Sequence, residues 1–221
     1  YTPTSGIPDL KKSVVQKIKK DQGLETEITN VVISCGAKHA LYNLMQVLVE
    51  PGDEVIVSPW TMSASATAIL HWNGIPVFAD IDIDTYNLCP DSILKNISPQ
   101  TKAIMVVDIF GQSADMDVIM EIAKKHKLKV ISDTAQAPGA LYGDKYAGTC
   151  ADVGGFSLNY HKHIHTGEGG ILVTDDDDIA ERLQLIRNHA EVVVKDKGVT
   201  NLTNMVGHNF RLGEIECAMG I

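Results

Sequence analysis

Short apolar segments alternate with amphipathic segments along most of the chain. The apolar segments are rich in valine and isoleucine, which is typical of strands buried in a sheet. They lie at residues 31–34, 54–57, 76–79, 103–107, 129–132, 154–157 and 169–174. The amphipathic segments repeat apolar residues every three or four positions, as in helices that cover a sheet, and lie at residues 8–22, 36–49, 63–70, 91–97, 116–126 and 179–186. This alternation predicts a layered α/β fold.

Composition and charge narrow the class of protein. The 221 residues are 44% hydrophobic and 21% charged, which is typical of a globular chain, and they contain no repeat or linker, so we expect one continuous domain. The net charge of −9 argues against nucleic-acid and anionic-membrane partners, and no apolar run is long enough for a transmembrane helix. Four scattered cysteines predict reduced thiols and a cytoplasmic location. Because the sequence begins at Tyr1 and ends at Ile221 within an apolar helical pattern, we expect a longer protein.

A strand-to-helix turn near residue 36 is a candidate anion site. Gly36 follows the predicted strand 31–34, and Ala37 and Lys38 begin the next helix. Such a turn directs free backbone N–H groups and the positive end of a helix towards an anion, which suits a phosphate. Most turns of this kind bind nothing, so the turn is informative only together with other residues.

Two further residues stand out because of their surroundings. Asp133 ends an otherwise apolar strand, where a carboxylate is costly unless it is paired, functional or the N-cap of the next segment. Lys162 lies between two glycine-rich strands, where a partly desolvated lysine can form a Schiff base. A surface lysine in a loop is the alternative interpretation.

Two other groups of polar residues do not predict a metal site. Histidine occupies every second position at His161, His163 and His165. No separate cysteine or carboxylate cluster completes a metal-ligand shell around these histidines. The acidic run 175–178 is expected to form a solvated turn whose last acids favour the N-terminus of the following helix. We therefore predict no metal.

Together, the three candidate features match the needs of one cofactor, pyridoxal phosphate. The turn at Gly36 would bind its phosphate, and Asp133 would keep its pyridine nitrogen protonated so that the ring can accept electrons. Lys162 would hold its aldehyde and later move the proton.

From about Trp60 onwards the chain also contains a series of motifs in a fixed order. They are PVFADID at 76–82, FGQ at 110–112, SDTAQAPGA at 132–140, FSLNYHK at 156–162, TGEGG at 166–170 and GHNFR at 207–211. In these motifs the chain resembles sugar aminotransferases of the DegT/StrS type, within the fold-type-I superfamily of pyridoxal-phosphate enzymes. The resemblance implies a three-layer sandwich with a mostly parallel central sheet. Residues 1–221 would be the cofactor-binding large domain, a smaller C-terminal domain would follow, and two copies would form a homodimer with shared active sites.

The resemblance implies specific roles for five residues. Lys162 would hold the cofactor aldehyde, Asp133 would pair with the pyridine nitrogen, and Gln136 would lie near the ring hydroxyl. Ser157 would bind the phosphate, and Asn209 would reach the phosphate of the neighbouring subunit.

The chain departs from the family pattern at the residue that covers the cofactor ring. The family's aromatic residue corresponds to Met62 here. Either the polarizable thioether of Met62 covers the ring, or Trp60 does so, and the alignment favours Met62.

The first 58 residues or so resemble a different class of the same superfamily. The segments YTPTSGIP at 1–8, GAKHALYN at 36–43 and PGDEV at 51–55 are similar to aspartate aminotransferases, in which the Gly-Ala-Lys turn holds the phosphate. The resemblance thus implies phosphate binding by Gly36, Ala37 and Lys38, in agreement with the interpretation of the turn above.

The resulting hypothesis is an aminotransferase that moves an amino group from an amino acid to a keto sugar. Glutamate is the expected donor, and the keto sugar is expected to be linked to a nucleotide. One alternative is an amino-acid aminotransferase of the aspartate type, and another is a non-catalytic regulator that binds the cofactor. Lys162 argues against a related sugar dehydratase, because those enzymes resemble this family with histidine in place of the lysine.

Overall fold

A seven-stranded sheet forms the centre of the molecule. The computed structural model describes residues 7–23, 25–190 and 206–221, so residues 1–6, which carry part of the second resemblance, lie outside it. In chain order the described strands are β1 (Val31–Ser34), β2 (Glu54–Val57), β3 (Ile75–Phe78), β4 (Thr101–Val107), β5 (Lys129–Asp133), β6 (Leu141–Tyr142), β7 (Lys145–Tyr146), β8 (Val153–Ser157) and β9 (Gly170–Val173). The order across the sheet is β1-β9-β8-β5-β4-β2-β3, while β6 and β7 form a separate hairpin.

The central sheet is mostly parallel, as predicted. Parallel pairing joins four neighbouring pairs of strands, β3–β2, β2–β4, β4–β5 and β5–β8. Strand β9 runs antiparallel to both of its neighbours, β1 and β8. The sheet is therefore mixed at one side only.

Helices cover both faces of this sheet. The described helices are α1 (Pro8–Gln22), α2 (Ala37–Leu48), α3 (Ala64–His71), α4 (Pro90–Asn96), α5 (Met116–His126), α6 (Asp177–Arg187) and α7 (Glu214–Met219). Side chains alternate across a strand, so Val55 and Val57 of β2 pack in one core with α2, α3 and α6, whereas Ile56 packs in a second core with α4 and α5. Leu10 of α1 and Cys217 of α7 join residues of β1 and β9 in a third core. The three-layer α/β sandwich is thereby confirmed.

The helices and strands predicted above all form, and their ends differ from the predicted ones by at most two residues. The acidic run caps α6 as expected: the side chain of Asp176 accepts hydrogen bonds from the backbone N–H groups of Asp178 and Ile179, both at 3.1 Å. The hairpin β6–β7 was not predicted from the sequence. Its two-residue turn begins at Gly143, whose φ of 59° favours glycine, and the Gly-Asp pair is the sequence signal that could have predicted it.

One edge of the sheet brings several chain segments together. Asp133 ends β5 and is level with Gly155 of β8, whose own end is Ser157. Because β9 is antiparallel, it begins where its neighbours end, and Gly170 pairs with both Ser34 of β1 and Ser157. Ligands of open α/β sheets bind at this carboxyl edge.

Candidate active site

A cavity of about 360 Å³ opens at the carboxyl edge of the sheet. It collects most of the residues that the sequence marked as functional, although they come from four separate parts of the chain. These residues are Gly36, Ala37, Lys38, Met62, Asp133, Gln136, Ser157 and Lys162.

The turn into α2 forms one wall of this cavity. Gly36 has φ 140° and ψ 156°, a conformation that favours glycine, and it immediately precedes the first helical residue, Ala37. Gly170 packs directly against this turn: a Cβ atom at residue 170 would lie 2.8 Å from Ala37 N and closer still to the carbonyl group of Gly36. The first N–H groups of a helix have no partner within it, so this wall presents backbone donors to an anion.

Asp133 lies at the floor of the cavity with 6% of its surface exposed. Its Oδ2 accepts a hydrogen bond from Ser65 Oγ at 2.8 Å, and its Oδ1 accepts one from Ala135 N at 3.2 Å. Burial raises the pKa of Asp133, while these two hydrogen bonds and the nearby charge of Lys162 act in the opposite direction. A cationic group placed above Asp133 would therefore stabilise its ionised form.

A second buried carboxylate supports this floor from below. Asp108 Oδ2 accepts hydrogen bonds from Ser132 Oγ at 2.7 Å and from Thr134 Oγ1 at 2.8 Å, and Oδ1 accepts one from Ala114 N at 3.2 Å. These contacts fix the residues on either side of Asp133 and thus the direction in which Asp133 points. Neither Ser65 nor Asp108 was expected at the site from the sequence.

The opposite wall is the loop that carries Lys162. Ser157, at the end of β8, accepts a hydrogen bond on its Oγ from Asn159 N at 3.3 Å, so the hydroxyl proton remains available to an anion. The backbone N–H of Lys162 donates to the carbonyl of Asn159 at 2.9 Å. Asn159 and Glu168 also line the cavity, and no role was expected for either of them from the sequence.

Gln136 and Met62 complete the described walls. Gln136 Oε1 accepts a hydrogen bond from Phe110 N at 3.1 Å, so the Nε2 group of Gln136 is left to donate towards the cavity. Met62 Sδ accepts a contact from Ala64 N at 3.4 Å, which places the thioether at the N-terminus of α3. Trp60 is not part of the cavity wall; its ring is half exposed, with its centroid 6.3 Å from that of Tyr86.

Of the remaining candidate residues, only His161 contributes to these walls. Asn209 is exposed and forms a single backbone bridge with Asn188. His161 lines the cavity, whereas His163 and His165 are exposed away from it. Over residues 7–23, 25–190 and 206–221, no group of three or more His, Cys, Asp or Glu side chains is arranged to hold a metal ion. No helix in the same ranges is both long and apolar enough to cross a membrane.

Comparison with known proteins gives consistent results. Residues 26–221 match the sequence model of the DegT/DnrJ/EryC1/StrS aminotransferase family. GDP-perosamine synthase of Caulobacter vibrioides is 39% identical over 197 residues, which are 85% of this chain and 52% of that protein. The dTDP-3-amino-3,6-dideoxy-alpha-D-galactopyranose transaminase of Aneurinibacillus thermoaerophilus is 44% identical over 169 residues, 76% of this chain and 45% of that protein. The chain thus spans about half the length of these relatives.

A solved structure shows the same similarity in three dimensions. The structure of NtdA from Bacillus subtilis, with its cofactor PMP bound, superimposes with a TM-score of 0.80 at 30% sequence identity. The match covers 96% of this chain and 46% of that one. The mostly parallel sheet and its helices are therefore the fold of this group of aminotransferases.

Proposed function

The chain belongs to the DegT/DnrJ/EryC1/StrS aminotransferase family, and on this premise we propose that the whole protein is a pyridoxal-phosphate-dependent aminotransferase. It transfers an amino group from an amino acid, with glutamate as the first donor to test, to a keto sugar linked to a nucleotide. The cavity carries this proposal, because Lys162, Asp133 and the N-terminus of α2 all line it. Residues 1–221 are then the cofactor-binding large domain of a longer chain.

The cavity fits pyridoxal phosphate in size and in charge. Its volume of about 360 Å³ is within the usual range for small-ligand sites. Residues 36 and 170 carry no side chain of their own that could cover the backbone donors of the turn, and the carboxylate of Glu168 lies 3.9 Å from the point that a Gly36 Cβ would occupy. Burial raises the pKa of Asp133, and a protonated pyridine nitrogen above it would supply the positive charge that favours its ionised form.

Different residues around the cavity would bind different parts of this cofactor. When bound, pyridoxal phosphate supplies an aldehyde that reacts with amines and a ring that accepts electrons. Lys162 would hold the aldehyde end, and its amine would carry the proton that moves during amino transfer. Asp133 would accept a hydrogen bond from the ring nitrogen, and Ser65 would keep the carboxylate oriented for this bond.

The other walls position the cofactor. The N–H groups of Ala37 and Lys38, after the turn at Gly36, would bind the phosphate together with the hydroxyl of Ser157. Gln136 Nε2 would donate to the ring hydroxyl. Met62 would cover one face of the ring with its thioether, in preference to Trp60, because only Met62 lines the cavity.

The names of the relatives support the substrate class. Two of them are named for amino sugars carried on GDP and dTDP. The PMP in NtdA is the amine form of the same cofactor, which is the state expected after an amino acid has given up its amino group.

The four cysteines are free thiols, which supports a reducing compartment, the cytoplasm.

The experiment that tests the function follows the cofactor and the amino group separately. The purified protein should absorb visible light, and borohydride should attach the cofactor to Lys162, as located by mass spectrometry. Assays with glutamate and nucleotide-linked keto sugars should then show amino transfer, while oxo acids serve as acceptors for the alternative aspartate-type activity. A protein that takes up no pyridoxal phosphate, or a label on Lys38 instead, would contradict the assignment.

Asn209 supports a homodimer with shared sites. It is exposed and lies outside the cavity of its own chain, which suits a residue that completes the phosphate site of a second copy. Its amide can donate a hydrogen bond to a phosphate oxygen.

Mixing of two inactive variants tests this arrangement. Lys162→Ala and Asn209→Asp subunits, dissociated and reassociated in equal amounts, should regain activity, because mixed dimers contain one site with both residues intact. With random pairing, roughly half of the dimers are mixed and roughly one site in four is restored. Mixed dimers without activity would show that Asn209 does not act across the interface.

A further inference from the structure

The loop that carries Lys162 connects β8 to β9 without any helix or strand of its own; we call residues 158–169 the lysine loop. Backbone hydrogen bonds close its base: Leu158 N donates to Gly169 O at 2.7 Å, and Thr166 N donates to Leu158 O at 3.0 Å. Leu158 and Thr166 each lie four residues from Lys162, and Gly169 lies seven residues from it. The middle of the lysine loop is held by other contacts, which involve Asn159.

Asn159 connects the two residues that matter most for the cofactor. Its backbone N–H donates to Ser157 Oγ at 3.3 Å, and its carbonyl accepts the backbone N–H of Lys162 at 2.9 Å. One residue thus contacts both the hydroxyl assigned to the phosphate and the lysine assigned to the aldehyde. Any movement of Asn159 changes the separation of these two groups.

Glu168 holds the side chain of Asn159 in place. Asn159 Nδ2 donates to both carboxylate oxygens of Glu168, at 2.7 Å to Oε1 and 2.8 Å to Oε2. The carbonyl of Glu168 accepts a hydrogen bond from Thr166 Oγ1 at 2.8 Å, so its backbone is itself restrained. Across the described part of the chain, this carboxylate forms no ion pair. Its hydrogen bonds go to an amide, although Lys38 and Lys162 line the same cavity.

We propose that Glu168 and Asn159 form a clasp that fixes the distance between Ser157 and Lys162. The clasp rests on the proposed function in one respect only, namely that these two residues bind opposite ends of one cofactor. Glu168 is then a positioning residue that acts through Asn159. A loop held ready in this way loses less conformational freedom when the cofactor binds, and the cofactor binds more tightly.

Two substitutions at the clasp give opposite kinds of perturbation. Asn159→Asp replaces the donor by a carboxylate facing Glu168, so that two like charges repel each other. Glu168→Gln removes the charge but keeps one acceptor oxygen for the amide. We expect Asn159→Asp to weaken pyridoxal phosphate binding by about tenfold or more, and Glu168→Gln to weaken it less. Glu121→Gln on the exposed surface of α5 makes the same chemical change without these contacts and is the matched control.

The double variant is the decisive measurement. With Asn159→Asp and Glu168→Gln combined, the amide at position 168 can donate to the carboxylate at position 159, which restores the bond with its direction reversed. Cofactor affinity should then recover towards that of Glu168→Gln alone, and the visible band of the bound cofactor, lost or shifted in Asn159→Asp, should return. A double variant no better than Asn159→Asp overturns the clasp, and so does an Asn159→Asp protein with normal affinity.

A cofactor-free measurement separates the clasp from the proposed function. Hydrogen exchange of the Lys162 backbone amide should quicken in Asn159→Asp, slow again in the double variant and stay unchanged in Glu121→Gln. If Asn159→Asp does not fold, Glu168→Ala removes the same acceptor without adding a charge and should also quicken exchange. Unchanged exchange in that variant overturns the clasp. The expected exchange pattern in a protein that binds no pyridoxal phosphate would support the clasp and refute the proposed function.

Discussion

Replacing Gly170 tests how the fold positions the turn at Gly36, whose backbone N–H groups are the candidate phosphate donors. An alanine Cβ at this position would lie 2.8 Å from Ala37 N and closer to the carbonyl group of Gly36, well inside the van der Waals contact of about 3.5 Å. All three atoms belong to the backbone, so no side chain can rotate away to relieve the overlap. Either β9 or the turn at Gly36 must move in the Gly170→Ala protein.

The magnitude follows from the kind of overlap and from a nearby control. Overpacking typically costs 1–3 kcal/mol, and a clash between backbone segments that cannot repack should cost about 3 kcal/mol, at the upper end of that range. Gly155 is one strand away in β8, and a Cβ there would meet only ordinary contacts, with Leu172 Cδ2 and Leu41 Cδ2 both at 3.5 Å. Gly155→Ala should therefore cost little, or stabilise by about 0.4–1 kcal/mol through the unfolded state.

Thermal unfolding of the two variants measures this difference directly. For a chain of this size, about 3 kcal/mol should lower the unfolding midpoint temperature of Gly170→Ala by about 6–12 °C relative to the wild type. Because the displaced turn presents the phosphate donors, cofactor affinity should fall in Gly170→Ala and remain normal in Gly155→Ala. Equal stabilities and equal affinities of the two variants would refute the packing argument.

Three further outcomes test the floor of the cavity. Asp133→Asn should retain pyridoxal phosphate but lower turnover by at least about a hundredfold, since the ring nitrogen is no longer held protonated; a visible spectrum and a steady-state assay measure the two effects. Ser65→Ala removes the hydroxyl that donates to Asp133 and so raises the pKa of this carboxyl further. Because Asp133 acts as a carboxylate, activity is lost as the pH falls through its pKa, and the acidic limb of the pH–rate profile should move to higher pH. Asp108→Ala should lower the free energy of unfolding by about 1–3 kcal/mol, measured in urea, because the hydroxyls of Ser132 and Thr134 lose their acceptor.

Features that break a local pattern could be predicted from the sequence. Gly36 stands where a strand meets a helix, and Asp133 is a charge at the end of an apolar strand. Lys162 lies between two glycine-rich strands, which drew attention to the loop between them. The strands could be predicted from continuous apolar runs and the helices from apolar repeats of three to four residues for the same reason, because both patterns are properties of neighbouring residues.

The supporting contacts could not be predicted in this way, because they join residues that are distant in sequence and locally unremarkable. Ser65 is one of several small residues at the start of α3, and it reaches Asp133 across 68 positions. Asp108 follows β4 much as Asp133 ends β5, yet its partners are determined by the register of two neighbouring strands. The contact of Glu168 with Asn159 depends on how the lysine loop closes, although Glu168 belongs to a motif that the sequence analysis quoted.

The reversed direction of β9 accounts for the way these parts meet. The turn at Gly36 follows β1, and Lys162 follows β8, two strands that are separated in the sheet by β9 alone. A parallel β9 would need a crossover of a dozen or more residues after β8, usually containing a helix that packs on a face of the sheet. An antiparallel β9 needs only the lysine loop, which stays at the carboxyl edge between the two strands. The same reversal brings the start of β9 against the turn after β1, and this close approach is why residue 170 is glycine.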